Sequence, residues 1–493
     1  MSRPGVDVKP EDGAAPMHFI HRARRPGPRA GLSLAGVVAL VAVTTTPAVS
    51  QDTIAITGAT LWDGTGRAPV ADAVVLVRGE RIACVGSRRE CPVPRGARAV
   101  PADGRWLVPG LIDSHVHLLL VGRDREPVGL TEELRHLLAQ GITTVRDMGT
   151  NPALLLQHAR AAAAGPRVFA MQLVAGHRFF YLREQVELPD GSTGWRQPPA
   201  QAMQSLGWTP FIYFSGDDPD SLVARAIQTG ASGLKLYADL DTAEVRALAA
   251  AAHRAGLTVW GHAWVQPASA LEQVRAGQDG VVHAAGLVGE LFGPLARDSL
   301  LGGTALLAAT AGAATLESAR DPRVLGALDT MVRHGTVFEP TLDVTLHRVA
   351  HFATLQPHQP TLPEAYARAA GQFGMEVTRE AWRRGVRITA GTDHVAYGAP
   401  AERATLAGEL GLLVDSVGMS PAEALGAATR VAAQALGGDA ARELGTIEAG
   451  RYADLVLLRR DPLTDIRNVD AVEWVMAGGR LFRPAELRAG GAP

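Results

Sequence analysis

The sequence predicts an α/β protein, a (β/α)8 TIM-like barrel accompanied by a small β-domain built from both ends of the chain. Three observations predict it. Through the middle of the 493 residues, short apolar runs alternate with Ala/Leu-rich helical stretches eight times. At both ends the strand runs are instead broken by glycine-containing turns. Finally, candidate ligands recur at the carboxyl ends of the central runs, where a parallel barrel carries its active site.

The β-domain takes 51–105 and 443–485. ITGATLWDG leads to a turn at Thr65-Gly66, and AVVLVRGERIACVG has Gly79-Glu80 as a hairpin turn. LGTIEAGRYADLVLL and AVEWVMAGGRLF supply the returning strands. Residues 106–442 form the barrel, with strands expected at 106–118, 142–149, 167–176, 233–238, 257–263, 280–285, 336–342 and 386–393. Tracts such as ALAAAAHRAG are good helix formers. Residues 177–220 are long for a connection and hold eight aromatic side chains. Such an insertion is either a lid or pocket wall, or a dimer contact.

In GLIDSHVHL, residues 110–118, His115 and His117 stand two apart, so both imidazoles leave the same face of a strand and reach one metal ion. Lys235 lies in the fourth run, His262 ends the fifth, His283 sits on the sixth and Asp393 closes the eighth. Imidazole and carboxylate ligands without thiolate suit Zn²⁺, or Mn²⁺, Fe²⁺ and Co²⁺. A lysine among them is explained if its neutral amine takes up CO₂ to become a carbamate bridging two divalent metal ions; the alternative is a lysine that contacts substrate. Two metals sharing a hydroxide lower its pKa and polarise a carbonyl, as amide hydrolysis requires. Asp393 then holds one metal and carries the proton of the attacking water to the leaving group. Tyr237 and His177, near strand ends, are candidate substrate contacts. Arg146 either pairs with Asp147 or touches the pocket, and His394 is either a donor behind the ligands or a surface histidine.

A formal charge of -2 offers no footprint for nucleic acid, so the expected partner is a small-molecule substrate, with a homo-oligomer left open. Arg22, Arg24, Arg25 and Arg29 precede an apolar segment at 31–43, and Ala48-Val49-Ser50 supplies a cleavage site. Residues 1–50 are therefore expected to be a signal peptide, with Met17 an alternative start. Thirteen apolar residues are too few to span a bilayer, so no stable membrane span is expected after cleavage near Ser50, and the mature protein is periplasmic or extracellular. Cys84 and Cys91 form a local disulfide or remain two free thiols.

WDGTG at Trp62, LVPGLIDSHVH, GITTVRDMG, GLKLYA, WGHA, VVHAAG, AGTDH, SPAEALGAATRVAAQALG and LGTIEAGRYADLVLL occur in one order along nearly all of the mature chain. In these segments the chain resembles the amidohydrolase superfamily, and within it the prolidase-like and imidazolonepropionase-like groups. The resemblance implies a distorted TIM barrel with a β-sandwich built from both termini. It implies His115, His117, Lys235 and Asp393 on one metal and Lys235, His262 and His283 on the other. The reaction expected is hydrolysis of an amide-type C–N bond in a dipeptide such as Xaa-Pro or in an N-acyl amino acid. The alternative is a mononuclear hydrolase of a cyclic amide, or a deaminase, using His115, His117, His262 and Asp393. A non-catalytic scaffold is remote, because no ligand position is lost.

Overall fold

The computed structural model describes residues 53–119, 129–180, 184–187, 193–196, 209–299, 312–346, 364–395 and 404–489. The expected signal peptide, the alternative start at Met17 and much of the 177–220 insertion lie outside the described residues. The chain opens with β1 (Thr53–Leu61), β2 (Val70–Arg78), β3 (Arg81–Gly86), β4 (Arg98–Pro101) and β5 (Trp106–Pro109). β1, β2 and β3 form an antiparallel meander in which Ile56 faces Val75 and Arg78 faces Arg81 across the Gly79-Glu80 turn. Cys84 and Cys91 are joined by a disulfide beside this meander.

The barrel follows with β6 (Leu111–His117), β7 (Ile142–Asp147) and β8 (Arg167–Gly176). A hairpin of β9 (Glu184–Glu187) and β10 (Thr193–Arg196) and a short strand, β11 (Phe211–Tyr213), fall within the insertion, and β11 pairs with the last residues of β8. Then come β12 (Gly233–Leu236), β13 (Thr258–His262), β14 (Gly280–Val282), β15 (Val337–Glu339), β16 (Arg387–Ile388) and β17 (His394–Val395). Neighbouring barrel strands pair in parallel throughout. The eighth position is split. β16 pairs with β15 while β17 pairs with β6, and between them Thr389 N–H donates to Phe338 O and Ser114 N–H donates to Ala390 O. These bonds close the sheet on itself, meeting the predicted barrel.

Several helices between the strands start at side-chain caps. Asp241 and Ser269 form capping boxes with Glu244 and Glu272, and Asp218 caps the helix Pro219–Gln228. Their apolar faces carry Leu222, Val245, Leu248 and Val274 against the strands, and all four side chains are buried. Each such burial is worth about 1.5–3 kcal/mol relative to exposure.

The chain returns to the first sheet through β18 (Leu455–Leu458), β19 (Val472–Ala477) and β20 (Arg480–Phe482), giving the order β20-β19-β18-β5-β1-β2-β3, with β4 also on β1. Here the structure differs from the expectation that the first barrel strand begins at Trp106. Trp106–Pro109 belongs to the terminal sheet, pairing Leu107 with Leu457 and with Leu61. The change of sheet falls at Gly110, where a Cβ would lie 2.0 Å from Thr143 Oγ1, so only glycine lets the chain cross so close to β7.

Candidate metal centre

At the carboxyl ends of the barrel strands, β6 supplies His115 and His117, and the turn between β16 and β17 supplies Asp393. Their ligand atoms lie within 4.8 Å of one another, and all three residues are buried. Asp393 Oδ1 is 3.4 Å from His115 Nε2 and 3.2 Å from His117 Nε2. His115 Nε2 and His117 Nδ1 have no hydrogen-bond partner. Burial holds His115 well below its ordinary value, so its imidazole is neutral and offers a lone pair. Buried polar atoms without partners are costly, and two imidazoles converging with a carboxylate fit a divalent cation.

The remaining candidates adjoin this triad. The His115 and His283 rings are 4.9 Å apart, as are those of His262 and His283, so the four histidines form a continuous arc. Lys235, on β12, is completely buried and its Nζ has no hydrogen-bond partner. Burial pushes its pKa down to about 7, against the opposing pull of Glu339 and Asp393. A large neutral fraction of the amine is what carbamate formation needs. His262 and His283 keep some exposure toward the mouth of the barrel.

Groups behind the histidines fix their orientation. Asp113 accepts from the backbone N–H of His115 and from both the backbone N–H and the hydroxyl of Thr392, tying β6 to the turn that carries Asp393. Burial raises the Asp113 pKa to about 6 despite those bonds. Glu339, at the end of β15, sits 2.7 Å from His115 Nδ1. Its other oxygen meets the guanidinium of Arg146 at 3.0 Å. Arg146 in turn donates to Ser114 O and Ala435 O and lies 3.6 Å over the Trp260 ring. Gly391 makes room for this packing, because a Cβ there would meet His115 Cβ at 2.7 Å and the Glu339 carboxyl at 2.8 Å. His283 Nδ1 is 2.8 Å from the Thr341 hydroxyl. Among the described residues, five of the six non-glycine positions with positive φ are Asp239, Gln266, His283, Thr341 and Asp393, all at or beyond the carboxyl ends of barrel strands. Backbone strain of this kind persists where surrounding contacts enforce a functional geometry.

At the mouth, Tyr237 packs on His262 with ring centroids 4.2 Å apart. His177 is exposed and stacks on Phe214 at 5.6 Å. Of the two expected substrate contacts, Tyr237 therefore reaches the histidine arc, whereas the ring contact of His177 is with the insertion. The two turns are linked, since Asp239 accepts from the backbone N–H and the Nε of Arg178 at 2.6 and 2.7 Å.

Sequence reasoning missed Glu339 and Thr341, and it left Arg146 between two roles, neither of which is its main one. Arg146 pairs with Glu339, while Asp147 caps the backbone N–H groups of Leu118, Gly149 and Thr150. His394 is a buried residue 2.6 Å from Glu133, not a surface histidine. The signal that could have found Glu339 was its position: it ends a short buried strand, at the mouth where the other ligands gather.

A model of the amidohydrolase family matches residues 106–482. An uncharacterized protein of Mycobacterium tuberculosis is 27% identical over 402 residues, covering 78% of this chain and 86% of that protein. Among solved structures, a Xaa-Pro dipeptidase with methionine bound in its active site superposes with a TM-score of 0.65 at 22% identity, over 87% of this chain and all of that one. The ochratoxinase of A. niger superposes with a TM-score of 0.64 at 21% identity, over 88% and 96% of the two chains. At such identities these likenesses show the shared fold. The family match covers the whole barrel, with every candidate ligand, and the returning strands, and on it the chain belongs to the amidohydrolase family.

Proposed function

We propose that the protein is an exported hydrolase of an amide-type C–N bond, using two divalent metal ions and acting on a dipeptide such as Xaa-Pro or on an N-acyl amino acid. The observation that carries this reading is the buried, unpartnered amine of Lys235 among four histidines and an aspartate gathered at the strand ends. His115, His117 and Asp393 would hold one cation, His262 and His283 the other, with Lys235 between them as its carbamate. In forming that carbamate, the neutral amine nitrogen bonds the carbon of CO₂ and one proton leaves. When bound, Zn²⁺, Mn²⁺, Fe²⁺ or Co²⁺ supplies the Lewis acidity that polarises the scissile carbonyl and ionises water near neutrality.

The chain's own groups do the rest. Asp393 accepts the proton of the attacking water and returns it to the departing nitrogen. The imidazoles of His115 and His262, kept neutral by burial, orient without competing for that proton. Tyr237 and His177 line the approach and contact the substrate's polar ends. The compact His115, His117 and Asp393 triad favours a second reading, a mononuclear enzyme, because it alone among the described residues gathers three ligand atoms within 4.8 Å. Elemental analysis of protein expressed with added zinc or manganese separates the two. Close to two metals per chain, with turnover of Xaa-Pro dipeptides or N-acyl amino acids in a substrate screen, is expected; a reproducible single metal would select the mononuclear reading.

Export is supported by the basic and apolar leader and by the Cys84–Cys91 disulfide, a bond that persists mainly in oxidising compartments. No helix among the described residues is long and apolar enough to cross a membrane. N-terminal sequencing of protein recovered from the periplasm or medium should begin near Gln51, whereas an intact N-terminus on cytosolic protein would overturn the assignment.

A further inference from the structure

The six candidate ligands leave one fully buried acid at the centre unexplained. Glu339 is 0% exposed, comes from β15, which contributes no ligand, and its two oxygens are divided between His115 Nδ1 and Arg146. A buried carboxylate is expensive unless its partners justify it. Here both partners are themselves fixed. Arg146, 1% exposed, is held by two backbone carbonyls and the Trp260 face, while His115 is held through its backbone by Asp113.

We infer that Glu339 is a positioning residue for the metal centre: it keeps the His115 proton on Nδ1, so that Nε2 presents its lone pair beside Asp393, and thereby sets how tightly the first cation is held. Arg146 anchors the Glu339 carboxylate at the distance where it can do so. An imidazole ligand whose other nitrogen donates to a carboxylate is both oriented and made more basic, and loss of such a partner typically costs about 10–100-fold in metal affinity. The inference rests on the metal-centre reading above, but its test needs no substrate.

Zinc affinity is measured on metal-free full-length protein by competition with a chromophoric chelator. Glu339→Gln keeps the side-chain volume and removes the charge, and its zinc dissociation constant should rise about 10–100-fold. Glu339→Asp keeps the charge but withdraws it by one methylene, so it should recover part of that loss, and it carries the test should the glutamine variant fail to fold. Asp454→Asn is the control, because it breaks a buried carboxylate–arginine pair with Arg167 at the opposite end of β8. It should melt at lower temperature yet bind zinc within about twofold of wild type, a change of under about 0.5 kcal/mol. Zinc binding by Glu339→Gln within twofold of wild type would overturn the inference alone. Equal weakening by Glu339→Gln and Asp454→Asn would overturn it as well, by reducing the effect to lost stability. A wild-type chain that binds no zinc would overturn the proposed function and this inference with it.

Discussion

His115, His117 and Asp393 are buried, and His115 and the turn that carries Asp393 are tied from behind, whereas His262 and His283 keep some exposure and lean on ring contacts with each other and with Tyr237. On the first side, Asp113, Thr392, Glu339 and Arg146 form a buried hydrogen-bonded support. On the second, the clearest support is the Thr341 hydroxyl at His283. A ligand set whose rotamers are already fixed spends little ordering entropy on binding. The closed side is therefore suited to retaining a cation, and the open side, next to the mouth, to meeting substrate. Lys235 lies between them and is the group through which the two sides would act together.

Breaking the closed side should have the largest effect. Asp393→Asn removes the proposed proton carrier and is expected to lower turnover by about two to four orders of magnitude, the scale of a lost general acid/base. Steady-state assays on folded variant check this, and near-wild-type turnover would remove Asp393 from its role. Removing the link comes next. Lys235→Ala should lose metal and activity by more than the roughly 10–100-fold seen when only a ligand's outer partner is lost. A short carboxylic acid added in solution should partly restore both, since it supplies the two oxygens of the missing carbamate. A Lys235→Ala protein with full metal content and undiminished turnover would leave the mononuclear mechanism.

The smallest effect concerns the outer support of the open side. Glu409 is buried and accepts from the backbone N–H of Asp343, two residues beyond the Thr341 that holds His283. Burial raises its pKa from the ordinary 4.5 to about 8. Between those values the folded protein binds a proton that the unfolded chain has released, so this group's contribution to stability is full below about pH 4.5 and is lost as pH rises through about 8. Glu409→Gln removes the titration, so the melting temperature of the variant should gain on wild type as pH rises from about 5 to about 8.5. Parallel melting curves across that range would contradict a raised Glu409 pKa.

The contrast between the two sides was only half legible in the sequence. Each candidate ligand could be found because it interrupts or ends an apolar strand run, and a charged or imidazole side chain in that place calls for an explanation. The barrel itself followed from the alternation of runs. Glu339 ends a strand run in the same way, but the pairings among the groups behind the ligands could not be read like this. Glu339 and Arg146 are 193 residues apart, and Glu133 and His394 are 261 apart. Nothing local in FEPTL or TTVRDMG indicates such a partner. The apolar continuity of WLVPGLID likewise concealed a change of sheet at Gly110, because both sheets bury their strands and only the close approach to Thr143 forces the break.

Lys235 is proposed to join the two sides as a carbamate between two cations, and everything said of their cooperation depends on it. The most direct test is the electron density at its Nζ in crystals grown with zinc and bicarbonate, recorded with anomalous scattering. The expected result is density for a planar carboxylate continuing from Nζ, flanked by two anomalous peaks, one beside His115, His117 and Asp393 and the other beside His262 and His283. Density that ends at Nζ, with a single anomalous peak at the triad, would contradict it.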